Sequence, residues 1–313
     1  MAEAAVATMQ EPVVAPSGAM RLALDDGRWH FQHGPIDLII QAGGNADAVR
    51  RATENAWLRF GAVLPELVSE LAQLRQPVRG ANTSQGPMAR RMHEACGPYS
   101  AQFITPMAAV AGAVADEIIA FFRNEAGVER AYVNNGGDIA LHLSAGQSYK
   151  VGLFTDLSRF DGSDELQLDG GFVIDAALPV RGIATSGWRG RSFSLGIADS
   201  VTVLAANAAA ADAAATIVAN AVYSDHPAVR RAPASSLKDD TDLGDLPVTV
   251  EVGDLPRNEV QAALEKGAAK AGALLRLGVI HGAVLALRGQ MSVVGLDELN
   301  RKFLSGGRGA AND

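Results

Sequence analysis

Apolar residues recur along this chain with two different periods, and the switches between them mark out its elements. Near the start, Arg21–Leu24, Arg28–Gln32 and Ile36–Gln41 alternate apolar with polar positions, separated by Asp26-Gly27 and Gly34-Pro35. Runs of period two bounded by turn residues predict a hairpin followed by a third strand. From Ala46 to Leu74 the period lengthens, and Val49, Ala52, Ala56, Phe60, Val63 and Leu67 fall on one helical face. Pro65 lies inside that stretch and predicts a kink or a split, because proline supplies no backbone N–H. Residues 77–105 are rich in Gly, Pro, Asn and Ser and read as a loop region with a short helix near Met88–Ala95. Thr105-Pro106 then opens a helix, Thr being suited to the cap and Pro to the first turn. Its expected buried stripe is Met107, Val110, Ala111, Val114, Ile118 and Phe121, and Gly127 marks its end. Small residues dominate its first half (Ala108, Ala109, Ala111, Gly112, Ala113 and Ala115), so it can approach another backbone or a ligand closely.

The second half alternates in the same way. Strand-like runs at Ala131–Asn134, Ile139–Leu143, Tyr149–Phe154, Gly171–Asp175, Arg181–Thr185 and Val201–Ala205 lead into an alanine-rich helix, Ala208–Ala221. After a polar stretch, a strand at Val248–Val252 precedes a helix over Arg257–Arg276. The runs Gly278–Leu287 and Met291–Val294 close as a hairpin around Arg288-Gly289-Gln290. Strand, strand and long helix recur near each end, which suggests a distant duplication without a recognisable sequence repeat. The many hairpins predict an α/β (α+β) fold with a mostly antiparallel sheet and packed long helices. We expect one domain over residues 20–303, of one body or two intertwined lobes, between disordered tails at 1–19 and 304–313.

Composition narrows the classes. At 313 residues and 48% hydrophobic, the chain can build a full core. Its net charge of −8 without a basic patch argues against nucleic acid and anionic membrane as partners, leaving a small-molecule ligand as the expected partner. No apolar run reaches membrane-spanning length, and the first twenty residues lack a secretory pattern, so the cytoplasm is the expected location. The oligomeric state is left open. A single cysteine, Cys96, excludes an internal disulfide and any multi-cysteine metal site. With His93 three residues away it reads first as packing and second as a nucleophile.

Three short segments offer chemistry. Asn134-Asn135-Gly136-Gly137-Asp138 follows a buried strand, and its paired glycines permit positive φ and close approach to an anion or a planar ring. The same residues also suit a plain hairpin turn. Thr185-Ser186-Gly187 ends another strand and precedes Trp188-Arg189-Gly190-Arg191, two hydroxyls and two guanidinium forks suited to phosphate or carboxylate. A solvated loop is the alternative there. Asp212 and Thr216 stand one helical turn apart and offer two hard oxygens to one small cation, the ligand type that Mg²⁺ prefers. The acidic run Asp239 to Asp245 lacks the ligand spacing of a calcium loop and reads as a lid or a solvated loop, as does His226 with its neighbours. No dinucleotide-binding or P-loop glycine motif is present.

Taken in order, these segments resemble the ApbE superfamily of flavin transferases. The resemblance rests on Asn134-Asn135-Gly136-Gly137-Asp138, Ala184-Thr185-Ser186-Gly187, and Ser200-Val201-Thr202-Val203 continuing to Ala211-Asp212 and Thr216. It covers about Thr105 to Val222. It implies a T-fold-like body that binds FAD or a related nucleotide and moves FMN onto a threonine of a partner protein. Asn134, Gly136, Gly137, Asp138, Thr185, Ser186 and Gly187 would line the nucleotide pocket, and Asp212 with Thr216 would hold Mg²⁺. Two departures accompany it. The family's lysine at the helix start falls on Ala111, and its histidine-containing insertion is reduced to Trp188–Asp199. Arg189 and Arg191 are then the candidate replacements for the lost positive charge. The chain therefore resembles a divergent ApbE-like branch: a Mg-dependent transferase of altered specificity, a non-catalytic flavin or small-ligand module, or a cofactor-biosynthesis enzyme of another class.

Overall fold

A computed structural model describes residues 12–153 and 170–295. Ten strands form one sheet in which every neighbouring pair is antiparallel. In chain order they are β1 (Val13–Val14), β2 (Met20–Ala23), β3 (Trp29–His33), β4 (Ile36–Gly44), β5 (Val128–Asn135), β6 (Asp138–Leu143), β9 (Gly182–Ser186), β10 (Ser200–Ala205), β13 (Gly282–Leu287) and β14 (Gln290–Val294). The missing numbers belong to two separate ribbons, β7 (Ser148–Leu153) with β8 (Gly170–Asp175), and β11 (Val229–Pro233) with β12 (Pro247–Val252). The expected α+β architecture with an antiparallel sheet is what the chain adopts.

The duplication suggested by the pattern is visible in the topology. In the first half β3 and β4 run into helices and return as β5 and β6; in the second, β9 and β10 run into helices and return as β13 and β14. The halves join edge to edge between β6 and β9, through Ile139↔Ile183 and Ala140↔Gly182. The helices are α1 (Ala46–Ser69), α2 (Leu71–Leu74), α3 (Pro87–Cys96), α4 (Val110–Arg123), α5 (Ala208–Ala221) and α6 (Arg257–Arg276). They share one apolar core with the sheet, built on Phe31, Phe60, Phe122, Leu38 and Ile118. A smaller core, with Phe172, Ile174, Leu141 and Val284, lies under the β7–β8 ribbon.

Several local expectations are corrected. Residues 12–19 are not a tail: Val13–Val14 pairs with β2 and Ala19 is fully buried. The tail at 304–313, the domain end at 303 and Phe154 lie outside the described residues. Pro65 sits inside an unbroken α1, and the chain breaks later, at Glu70. Thr105 does not cap the following helix, because its hydroxyl donates instead to the Asp242 carboxylate, and Pro106–Ala109 is a 3₁₀ turn before α4. The buried face of α4 keeps Val114 and Ile118 of the expected stripe and widens onto Gly112, Ala115, Ile119 and Phe122. The cause is the crossing with α5: a Cβ at Gly112 would overlap the Ala208 carbonyl, so this glycine has to face its neighbour. The last hairpin begins at Gly282 rather than Gly278, and β11 arises from a polar stretch that carries no strand signal.

Candidate functional site

Where α4 and α5 cross, each helix supplies the carboxylate that caps the other. The Asp116 carboxylate on α4 accepts from the Ala208 and Ala209 amides at 3.0 and 2.8 Å, and Asn207 completes that cap by accepting from Ala210 N at 2.8 Å. In return Asp212 Oδ2 on α5 accepts from Gly112 N at 3.0 Å, in the first turn of α4. The first N–H groups of a helix have no intrahelical partner and carry the positive end of its dipole, so both acids sit where a negative charge is stabilised. Asn135 Nδ2 donates to the Ala111 carbonyl at 3.1 Å and ties the end of β5 to the same helix start.

The turn at Asn134–Asp138 and the end of β9 reach this crossing. Asn134 Oδ1 accepts from Gly137 N at 2.8 Å, so Asn134 shapes the turn itself. Asp138 Oδ1 accepts from Thr185 N at 3.3 Å, and the Thr185 and Thr202 hydroxyls lie 2.9 Å apart. Gly136 has φ +65, and a Cβ there would overlap the Arg191 guanidinium. This glycine is therefore the seat of Arg191. A Cβ at Gly137 would meet nothing within 4 Å, which leaves that side of the turn open.

Asp138 and Asp212 are half-buried residues whose carboxylates lie deep among protein atoms. Burial raises the Asp138 pKa well above the usual carboxylate range; Asp212 adds repulsion, while the Thr185 amide and Arg191 oppose the shift. Burial pushes Asp212 up to about 7 against the pull of the Gly112 and Ala111 amides, with Asp116 adding to the rise. Both acids are raised, burial being the main cause for each. Asp116 is also raised by burial, but besides its two amides it has Arg91 and Arg123 to hold its charge.

The sequence candidates divide on this geometry. Asp138, Thr185, Asp212 and Arg191 converge, joined by a hydrogen bond or by direct electrostatic influence. Thr216 is half-buried one turn beyond Asp212, while Ser186 and Gly187 continue the end of β9 beside Thr185. Arg189 points elsewhere: its Nε donates to Asp199 at 3.1 Å and its guanidinium lies 4.9 Å from the Trp188 ring centre. Arg191 is exposed and forms no ion pair among the described residues. Cys96 is fully buried, its thiol 3.4 Å from the Thr105 carbonyl oxygen, and burial raises its pKa, with Asp212 contributing. That is the setting of a packing cysteine. His226 accepts from the Ala228 amide within its own turn. The acidic run is tied to distant parts of the chain by Arg75–Asp240 and Thr105–Asp242, and locally by Ser235–Asp245. Sequence reasoning missed Asp116 and Asp199. The available signal was an acid on the small-residue face of an apolar helix, and another directly before a fully buried strand.

A family model described as AbpE bacteria matches residues 20–293. The chain belongs to that family. Among curated relatives it is 40% identical over 149 residues to the UPF0280 protein of Methanopyrus kandleri, covering 46% of this chain and 54% of that one. A UPF0280 protein of Methanothermobacter thermautotrophicus is 37% identical over 138 residues, 44% of this chain and 49% of its own length. The chain thus spans about half the length of the curated relatives it matches. Flavin Transferase ApbE from Vibrio cholerae covers 91% of this chain and 99% of its own, with a TM-score of 0.45 at 11% identity. The apo form of the Pseudomonas stutzeri flavinyl transferase ApbE covers 93% and 98%, with a TM-score of 0.45 at 12% identity. No helix among the described residues is long and apolar enough to cross a membrane.

Proposed function

We propose that Asp138, Thr185, Arg191 and Asp212 line a recess where the two halves meet, that it binds FAD or a related nucleotide with Mg²⁺, and that the protein is a Mg-dependent transferase of altered specificity. The observation that carries this reading is the state of Asp212. It is a deep carboxylate beside a second carboxylate, Asp138, and its pKa is raised despite its amide donors. Such a site has an excess of negative charge that a cation relieves. The donor set fits Mg²⁺: oxygen ligands only, with Asp212 and the Thr216 hydroxyl on one helix face. Among the described residues no group of three or more His, Cys, Asp or Glu gathers that could hold a metal ion, so the cation would rest on Asp212 and Thr216 with the phosphates of its ligand. Asp212 and Thr216 would hold such a cation, which would supply charge neutralisation and Lewis acidity toward a bound pyrophosphate.

The protein's own residues have separate tasks. Asp212 and Thr216 hold the cation. Arg191, exposed at the rim and seated on Gly136, meets a phosphate in place of the lysine that Ala111 replaces. Thr185 and Ser186 offer hydroxyls, and Asn134, Gly136, Gly137, Asp138 and Gly187 shape the pocket wall. Arg189 braces the loop. The test is a thermal-shift titration with FAD, with and without MgCl₂, together with an assay for released AMP. A Mg-dependent rise in Tm with AMP release is expected. Absence of both would remove flavin from the reading. A second reading, a module that holds flavin without turnover, is favoured by the methyl group of Ala111 where the family motif has a cation. Bound flavin with no AMP would select it.

A further inference from the structure

We infer that Asp199 is a positioning residue that holds Arg191 over the nucleotide recess. This rests on the reading above for what Arg191 meets, and on geometry alone for how Arg191 is held. Asp199 stands one residue before β10, with only 7% of its side chain exposed, and it pairs with Arg189 in the loop that follows β9. It collects donors from two directions. On one side Oδ1 accepts from Trp188 Nε1 at 3.2 Å and from Arg189 Nε at 3.1 Å. On the other, Oδ2 accepts from the Arg288 amide at 2.6 Å, in the turn between β13 and β14. Its own amide donates to the Ala286 carbonyl at 2.9 Å, so the carboxylate has little freedom to shift.

The consequence falls on the loop that β9 releases. Trp188 N donates to the Ala198 carbonyl at 3.0 Å and Gly190 N donates to the Gly187 carbonyl at 3.2 Å, closing a tight turn immediately before Arg191. The turn is pinned by the two side chains that Asp199 grips, Trp188 and Arg189, which also stack on each other. A guanidinium on the residue directly after an anchored turn has a restricted reach, and here it comes to rest on Gly136. A long exposed arginine otherwise loses rotamer freedom when it binds an anion, and anchoring its base lowers that cost. Asp199 touches neither the recess nor Arg191 itself, so it acts through the loop.

Two measurements on the full-length protein separate this inference from the ligand assignment. The first needs no ligand: labelling with phenylglyoxal, followed by mass spectrometry at Arg191, in the wild type, Asp199→Asn and Trp188→Phe. Asp199→Asn should raise the labelling rate at Arg191 several-fold, and Trp188→Phe, which removes one donor and keeps the ring, should raise it less. Equal rates in well-folded variants would overturn the positioning role. The second is a double-mutant cycle on FAD affinity in MgCl₂, with Asp199→Asn and Arg191→Ala. Loss of a charged hydrogen bond weakens binding about tenfold or more. The double variant should bind no more weakly than Arg191→Ala alone, because Asp199 acts only through Arg191. Multiplying losses would overturn the inference. If Arg191→Ala binds FAD as the wild type does while the labelling result holds, the flavin reading fails and the positioning of Arg191 stands.

Discussion

The two halves share a strand order and differ in what joins their helices. In the first, α1 and α4 are bridged by charge: Arg59 pairs with Glu66 at 2.6 Å and with Glu117 at 2.7 Å, and Arg91 reaches Glu117 at 2.8 Å. In the second, α5 is a thin rod of Ala, Ile and Val whose sole ionisable side chain is Asp212. The two crossed caps carry the same contrast. Asp116 has two amides and two arginines around it, whereas Asp212 has amides and further acids. The first is a finished structural contact. The second is a contact with unbalanced charge, and that imbalance is what suits it to a cation.

The most severe way to break this comparison is to separate the helices. Gly112→Val should put side-chain atoms into the Ala208 carbonyl and cost about 3 kcal/mol or more, read as loss of a cooperative melt. Next, Asp116→Asn and Asp212→Asn should differ in size at pH 8. Asp116→Asn weakens the α5 cap and removes the charge that Arg91 and Arg123 face, which offsets the gain from neutralising a buried acid, for an expected net change within about 1 kcal/mol. Asp212 has its folded pKa raised to about 7, above the unfolded carboxylate value. Its contribution to stability is therefore full at low pH and is lost as pH climbs through about 7. Asp212→Asn keeps an acceptor for the amides and should remove that slope, gaining a few kcal/mol at most at pH 8. MgCl₂ should stabilise the wild type at pH 8 and leave Asp212→Asn unchanged in a thermal-shift assay.

Much of the scaffold was legible because its signals are local. The bounds of α5 and α6 are readable from Asn207, Pro256 and the helical spacing that follows each. The small residues of α4 also signalled a close approach, which Gly112 makes. What the sequence concealed depends on partners far along the chain. Thr105 looks like a cap until Asp242, 137 residues away, takes its hydroxyl. Asp116 looks like an ordinary helix acid until Ala208, 92 residues on, needs it. The convergence of Asp138, Thr185 and Asp212 was an expectation from ordered motifs. The role of Gly136 was not, since a glycine required by an arginine and one required by a ligand look identical in a one-dimensional string.

A finer test addresses that glycine. Gly136→Ala should push Arg191 aside, weaken FAD binding about tenfold and cost about 1 kcal/mol through the positive φ, measured by titration and melting in parallel. The smallest effect belongs to the surface of the first half. Glu125→Ala removes the 2.7 Å pair with Arg51 and should change stability by less than about 1 kcal/mol, because the arginine side chain is 53% exposed. A larger loss there would mean that the charged lattice of the first half extends further than the contrast drawn above allows.

The exchange of carboxylates between α4 and α5 makes each half an unfinished object. Cut apart, the first would present a bare helix start and a homeless acid, and so would the second, each matching the vacancy in the other. Two polypeptides divided at the β6–β9 seam should thus find one another in solution and recover together what neither can fold alone.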